Sequence, residues 1–500
     1  MSNDSRPSSE APKTRDGTPG WVFVALVVVA AIFVPLVISL SGEEGPDNDP
    51  WAHVEPRPPK TDHTELMPGP YETGPEVTRA CLECHEDEGQ EVLQTAHWRW
   101  EGEPVRLPGR EEPVRMGKKN VINNFCIAIQ SNWSACSACH VGYGWVDESF
   151  DFSQEEQVDC LVCHDHSGQY AKAAGGYPAE GVDLAAAAQS VGPPTRDNCG
   201  GCHFRGGGGN AVKHGDLDAT LANPRPRVDV HMGTHDLVCV DCHETEDHDM
   251  KGRALSVSVT NTNEVECMDC HAAEPHEDTR LNSHVASVAC ETCHIPQVAI
   301  REATKTHWDW AEAGQDLPED THEYLKTKGR FEYEQGLVPE YFWFNGRGDR
   351  YLMGDTIDPS EPTELNPPLG SLRDPEARIW PFKVHRATQP YDAIHKTLMV
   401  PKTVGEGGYW TDFDWDQALR LGARATGLPY SGEFDFTSTV MYWPLSHMVQ
   451  PVDQALQCRD CHSPEGRMDW QALGYPGDPA QWGSREVERP TTLAGIGGER

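Results

Sequence analysis

The hydrophobic pattern opens on one unbroken run, Trp21-Val-Phe-Val-Ala-Leu-Val-Val-Val-Ala-Ala-Ile-Phe-Val-Pro-Leu-Val-Ile-Ser-Leu40. As a helix, its twenty uncharged residues match the hydrocarbon thickness of a bilayer. Arg6, Lys13 and Arg15 precede it, and Glu43, Glu44, Asp47 and Asp49 follow. That bias predicts a cytoplasmic tail (1–20), a transmembrane anchor (21–40) and an extracytoplasmic remainder. The run is longer than a signal-peptide core and no small-residue cleavage site follows Leu40, so the anchor is expected to stay uncleaved. Residues 41–75 are rich in Pro, Glu and Asp and read as an extended linker. Beyond it, helical patterning shows at Glu91–Trp100, Asp183–Ser190 and Asp414–Gly427, and no alternating strand pattern persists. The expectation is a mainly α fold of short helices and long loops over 76–470, with a poorly ordered tail at 471–500.

Cysteine spacing changes that picture. Sixteen of seventeen cysteines fall into eight copies of Cys-x-x-Cys-His. They are Cys81, Cys84 and His85; Cys136, Cys139 and His140; Cys160, Cys163 and His164; Cys199, Cys202 and His203; Cys239, Cys242 and His243; Cys267, Cys270 and His271; Cys290, Cys293 and His294; and Cys458, Cys461 and His462. In this signature two thiols form thioethers to a porphyrin and the histidine ligates iron. Zinc sites also pair cysteines, but a histidine directly after every pair, always in one register, favours haem. Eight covalently attached c-type haems are therefore expected, in the periplasm, where such attachment takes place. Porphyrin faces should then supply much of the buried apolar surface, consistent with a hydrophobic fraction of only 37%. The segment 295–457 holds no motif but many aromatics, and its expected job is to cover haem faces. A net charge of −38 argues against nucleic acid or anionic lipid surfaces and suits a basic redox partner.

An electron-carrying haem is ordinarily six-coordinate, so second histidines are needed. The candidates are His97, His214, His231, His248, His276, His284 and His447, with His385 and His395 in reserve. His53 and His63 lie in the linker, and His166 is too close to its own motif. A catalytic haem instead needs a displaceable or missing sixth ligand. Lys172 and Lys213 both invite inspection, because burial lowers an amine's pKa toward the neutral form that binds iron. Lys172 reads by default as solvated. Lys213 follows Arg205-Gly-Gly-Gly-Gly-Asn210-Ala-Val, where glycines let backbone approach a porphyrin edge. Cys126, ten residues before Cys136, belongs to no motif. It reads either as a small buried apolar residue or as a thiol in use, since stray thiols are a hazard during haem attachment.

Together these features resemble the octahaem tetrathionate reductase family of c-type cytochromes. The resemblance runs from about Cys81 to Arg467 and rests on Asn123-Asn-Phe-Cys-Ile127, Gly142-Tyr-Gly-Trp145, Val158-Asp-Cys-Leu-Val-Cys-His164, Lys213-His-Gly-Asp-Leu-Asp218, Cys293-His-Ile-Pro296, Trp308-Asp-Trp310, Trp343-Phe-Asn-Gly346, Gln389-Pro-Tyr-Asp392, Tyr430-Ser-Gly432 and His447-Met-Val449. It implies one catalytic haem, that of the second motif, with lysine in place of histidine as sixth ligand and a free cysteine facing the pocket. By match those roles fall on Lys213 and Cys126. The family often has an aspartate three residues before the lysine; here that position is Asn210, whose amide can orient an anion by hydrogen bonding. The implied reaction is reduction of tetrathionate to two thiosulfates, with Cys126 attacking a central sulfur. Reduction of nitrite or hydroxylamine at the same iron is the alternative, an electron carrier with eight bis-histidine haems is a third, and oxidation of reduced sulfur stays open. The substrate would be a small sulfur or nitrogen oxyanion, and the redox partner a quinol-linked membrane protein or a soluble cytochrome.

Overall fold

The computed structural model describes residues 49–126, 128–483 and 485. The tail, the run at 21–40 and residues 486–500 lie outside them; among the described residues, no helix is long and apolar enough to cross a membrane. Contacts divide the chain into a small unit, 1–54 with 268–275, and a large unit, 55–267 with 276–500. In the small unit, Asp49 caps the short turn Pro50–His53 by accepting the Trp51 N–H at 3.1 Å.

In the large unit, the motif-bearing stretch is built of short helices. A helical turn puts residues i, i+3 and i+4 on one face, so each motif that folds as one turn presents both thiols and the histidine together. Leu161–His164, Arg196–His203, Cys290–His294 and Cys458–Cys461 do so. Helix α1 (Gly74–Leu82) leads into the first motif, and α2 (Leu184–Ser190) is capped by Asp183, whose carboxylate accepts from Ala186. The helix expected at Glu91–Trp100 is broken into Glu88–Val92 and Ala96–Arg99, the second ending on Trp100 at φ 48°.

The haem-free segment departs from the mainly α expectation. It holds an eight-stranded mixed sheet made of β1 (Thr304–Asp309), β2 (Tyr324–Leu325), β3 (Gly329–Glu334), β4 (Glu340–Phe344), β5 (Thr363–Glu364), β6 (Arg378–Asp392), β7 (Thr397–Leu398) and β8 (Phe434–Pro444). The main path runs β2-β3-β1-β6-β8-β5, with β1–β6 and β8–β5 parallel. One edge of β6 is shared in turn by β4, β1 and β7, while β8 follows the other antiparallel from Phe382 to Asp392. The strand carries no alternating pattern because most of β6 is buried on both faces and because Pro381 and Pro390 interrupt it.

Residues opposite one another in an antiparallel pair share a face. Lys383, His385, Ala387 and Gln389 therefore stand with Trp443, Met441, Thr439 and Thr437. That face packs Met441 and Trp443 against Ile122, Ala128, Leu398 and Val400. The other packs Phe382, Val384 and Tyr442 with Leu255 and Phe344, each fully buried side chain contributing about 1.5–3 kcal/mol. Helix α3 (Trp415–Thr426) closes one end of the sheet, with Asp414 accepting from Gln417 at its start and Gly427 at φ 71° at its end. At Gly422 a Cβ would run into the Val400 carbonyl, which fixes how closely the helix packs. The C-terminal stretch is ordered further than expected: Leu473 and Tyr475 are buried beside Trp343, Ala377 and Ile379.

Candidate functional site

Whether the chain suits haem can be tested on its histidines. Two imidazoles on one iron, each bonded at about 2 Å with its ring centre about 1 Å behind the bonding nitrogen, stand about 6 Å apart. Among the described residues, motif histidines face a second histidine at that spacing: His203 with His97 at 6.1 Å, His243 with His447 at 6.2 Å, His294 with His276 at 6.2 Å, and His462 with His284 at 6.3 Å. A ligating histidine also anchors its other nitrogen, and here Nδ1 is the anchored one. His164 Nδ1 donates to the Gly192 carbonyl at 2.9 Å, His243 to Lys251 at 2.8 Å and His284 to Arg280 at 2.8 Å. His462 meets Asp478 at 2.6 Å, His447 meets Asp216 at 3.3 Å and His248 meets Glu91 at 2.7 Å. In the His243–His447 and His462–His284 pairs both Nδ1 atoms are so engaged, which leaves the Nε2 atoms for a ligand. The residues fit haem.

Attachment cysteines of different motifs also meet: Cys81 with Cys160, Cys139 with Cys202, Cys199 with Cys239, and Cys267 with Cys290. Haems held at such thiols would be neighbours.

The second motif departs from this pattern. His140 is wholly buried among Trp98, Trp100, Trp145, Phe150 and Phe152. Its Nε2 donates to the Trp98 carbonyl at 2.7 Å, and Nδ1 has no hydrogen-bond partner.

Cys126 and Lys213 both flank this motif. Cys126, half-buried, acts electrostatically on Cys136 and packs beside Trp308, Trp310 and Phe331. The Lys213 amine lies 5.8 Å from the Phe125 ring and 5.2 Å from Trp443, with Cys139 among the charges acting on it. Burial, helped by Lys118, pushes its pKa down to about 8. Lys172 is spoken for: its amine pairs with buried Asp159 at 2.7 Å and donates to the Gly142 and His140 carbonyls, so it is neither solvated nor a ligand candidate. Asn210 Oδ1 accepts the Ala219 N–H at 2.8 Å and closes the loop.

Of the other candidates, His214 stands against Trp443 at 4.8 Å and near Asp216, and burial followed by Lys213 holds its pKa well below the usual value. His231 lies in the one-turn helix Val230–Thr234. His395 is exposed, and His166 binds the Pro193 carbonyl at 2.7 Å. His385 is fully buried in β6, with Nδ1 3.1 Å from Asn124 Oδ1 and Nε2 unpartnered.

Two lysines went unnoticed in the sequence. Lys305 and Lys383 are each only 2% exposed, and burial pushes the first well below its ordinary pKa and the second down to about 7. The one local signal is at Lys383, a lone cation in the apolar run Pro381-Phe-Lys-Val384.

Known proteins share this fold. A bacterial cytochrome c family model matches residues 305–465. The crystal structure of an octaheme cytochrome c from Shewanella oneidensis superposes with a TM-score of 0.80 at 47% identity, covering 84% of this chain and 98% of that one. The chain belongs to the multihaem c-type cytochromes. This cytochrome carries covalently bound c-type haems, is extracytoplasmic, and is a haem-based redox protein. An uncharacterized protein of Archaeoglobus fulgidus is 24% identical over 277 residues, 45% of this cytochrome and 90% of the relative.

Proposed function

We propose that this cytochrome reduces a sulfur–sulfur bond in a small dianion, tetrathionate, beside the haem of its second motif. The observation that carries the reading is the approach of the Lys213 amine to within 5.8 Å of the ring of Phe125, the residue next to Cys126. When bound, the haems supply electrons singly from a chain of neighbours to a two-electron reaction. The protein's part is the thiol. The Cys126 thiolate attacks a central sulfur, forming a Cys126 sulfur–sulfur bond and expelling one thiosulfate. Two electrons then cleave that new bond, returning the thiolate and releasing the second thiosulfate; no proton is needed. Lys213, when protonated and free of metal, pairs with a sulfonate end.

The four facing histidine pairs support six-coordinate, electron-carrying haems at motifs four, five, seven and eight, while His214, His231 and His248 are the proposed second ligands elsewhere. Thiol contacts support a relay that reaches the second motif through the fourth, Cys139 to Cys202. The apolar run at 21–40 supports an anchor through which quinol-linked electrons enter.

The test is Cys126→Ala assayed with tetrathionate and hydroxylamine side by side. Tetrathionate turnover is expected to fall at least about a hundredfold, as for loss of a positioned nucleophile, while hydroxylamine turnover persists. Unchanged tetrathionate turnover would remove the thiol from the reaction and favour nitrogen-substrate chemistry at an open iron.

A further inference from the structure

The Lys213 loop and the Cys126 loop have little secondary structure of their own, and Asn124, Ala211 and Val212 within them are buried. Their carbonyls need donors from elsewhere. The site-facing side of the sheet supplies them. Lys383 Nζ donates to the Val212 carbonyl at 3.0 Å, to the Lys213 carbonyl at 3.1 Å and to Thr304 Oγ1 at 2.6 Å. Thr304 Oγ1 in turn reaches the Ala211 carbonyl at 2.6 Å and the His214 carbonyl at 3.1 Å. Four successive carbonyls, 211 to 214, thus hang on two adjacent side chains.

The neighbour of Thr304 grips the other loop. Lys305 Nζ donates to the Phe125 carbonyl at 3.0 Å while lying 3.7 Å above the Trp308 ring. Along β6, His385 meets the Asn124 side chain at 3.1 Å and Gln389 donates to the Asn123 carbonyl at 2.8 Å. β1 and β6 are paired in parallel at His307 and Arg386, so the anchor points for the two loops are joined by a hydrogen-bonded sheet.

We propose that Lys383 and Lys305 are positioning residues that hold the Lys213 and Cys126 loops at a fixed spacing across the second-motif haem. The inference rests on the site reading above and extends it. An ammonium has three protons, and those of Lys383 are matched by three protein acceptors, so none remains for a substrate. Lys383 therefore acts through the loop it holds. The aromatic-rich segment is then a jig for the site as well as a cover for haem faces.

The experiment uses the full-length holoprotein with Lys383→Met and Lys305→Met, each checked by mass for its full set of haems. Lys383→Met is expected to change the paramagnetic-resonance signature of the amine-ligated haem while leaving alkylation of Cys126 by iodoacetamide at the wild-type rate. Lys305→Met is expected to do the reverse. In both, tetrathionate kcat falls about a hundredfold at nearly constant KM, the loss expected when reacting groups shift by about 1 Å. Lys383→Gln, which keeps two donors, restores part of the kcat. If Lys383→Met does not fold, Thr304→Val removes the shared hydroxyl and should give the same spectral change. Wild-type spectrum, alkylation and kcat in both lysine variants would overturn the inference. So would uniform losses across every haem signal and alkylation with no rescue by glutamine, which marks a general scaffold. A wild-type spectrum lacking an amine-ligated haem removes the site reading itself, and the inference with it.

Discussion

The stretch from α1 to His294 and the sheet from Thr304 to Pro444 hold themselves together by different means. In the first, helices run to nine residues at most and the apolar clusters are small, such as Leu161 with Val77, Leu184 and Ala188. Such helices are marginal alone, and the haem tethers supply what backbone and core do not. In the second, β6 and β8 pair over eleven residues and bury side chains on both faces. The difference teaches that the cofactor organises one half, while the other half is a conventional fold against which the cofactor-bearing loops are set.

The largest expected effect follows directly. Chain produced without haem attachment should lose structure through the motif-bearing stretch but keep a protease-resistant fragment spanning Thr304 to Pro444. Limited proteolysis read by mass spectrometry checks it, and uniform digestion would break the comparison. Next in size is Met441→Ala in the sheet core, where the side chain is fully buried among Ile122, Leu398 and Trp443. A loss of about 2–5 kcal/mol is expected from thermal or denaturant unfolding. A negligible loss would mean that the sheet, too, leans on haem.

The smallest concerns Asp392 at the end of β6. Burial alone would raise its pKa, but the N–H groups of His395, Ser431 and Ile394, at 2.7, 2.6 and 2.9 Å, outweigh burial and hold it below the ordinary value. A depressed carboxylate stabilises the fold above its unfolded pKa of about 4, and that share is lost as pH falls through the folded value. Asp392→Asn should cost about 1–3 kcal/mol at neutral pH and flatten the acid limb of the stability curve. Parallel acid limbs in variant and wild type would exclude the carboxylate as the cause.

What was legible in the sequence was what is local. A motif of five residues carries its own geometry, and the helix from Trp415 shows its cap at Asp414 and its stop at Gly427 within a single window. The sheet was not legible because β6 is buried on both faces and places Lys383 and His385 inside, so that no two-residue period survives. The site was half legible. Cys126 stood out by counting and Lys213 by its glycines, whereas Lys383 and Lys305 matter through acceptors about 170 to 180 residues away, a separation no local pattern encodes.

The net charge of −38 has a consequence for traffic. An incoming anion would meet repulsion first and the enclosed amine of Lys213 only afterwards. Dissolved ions thin the outer field over a Debye length of about 10 Å at 0.1 M, whereas buried charges are screened far less. Ionic strength thus lowers the barrier to encounter without loosening the grip inside, which suits the molecule to saline surroundings better than to dilute ones.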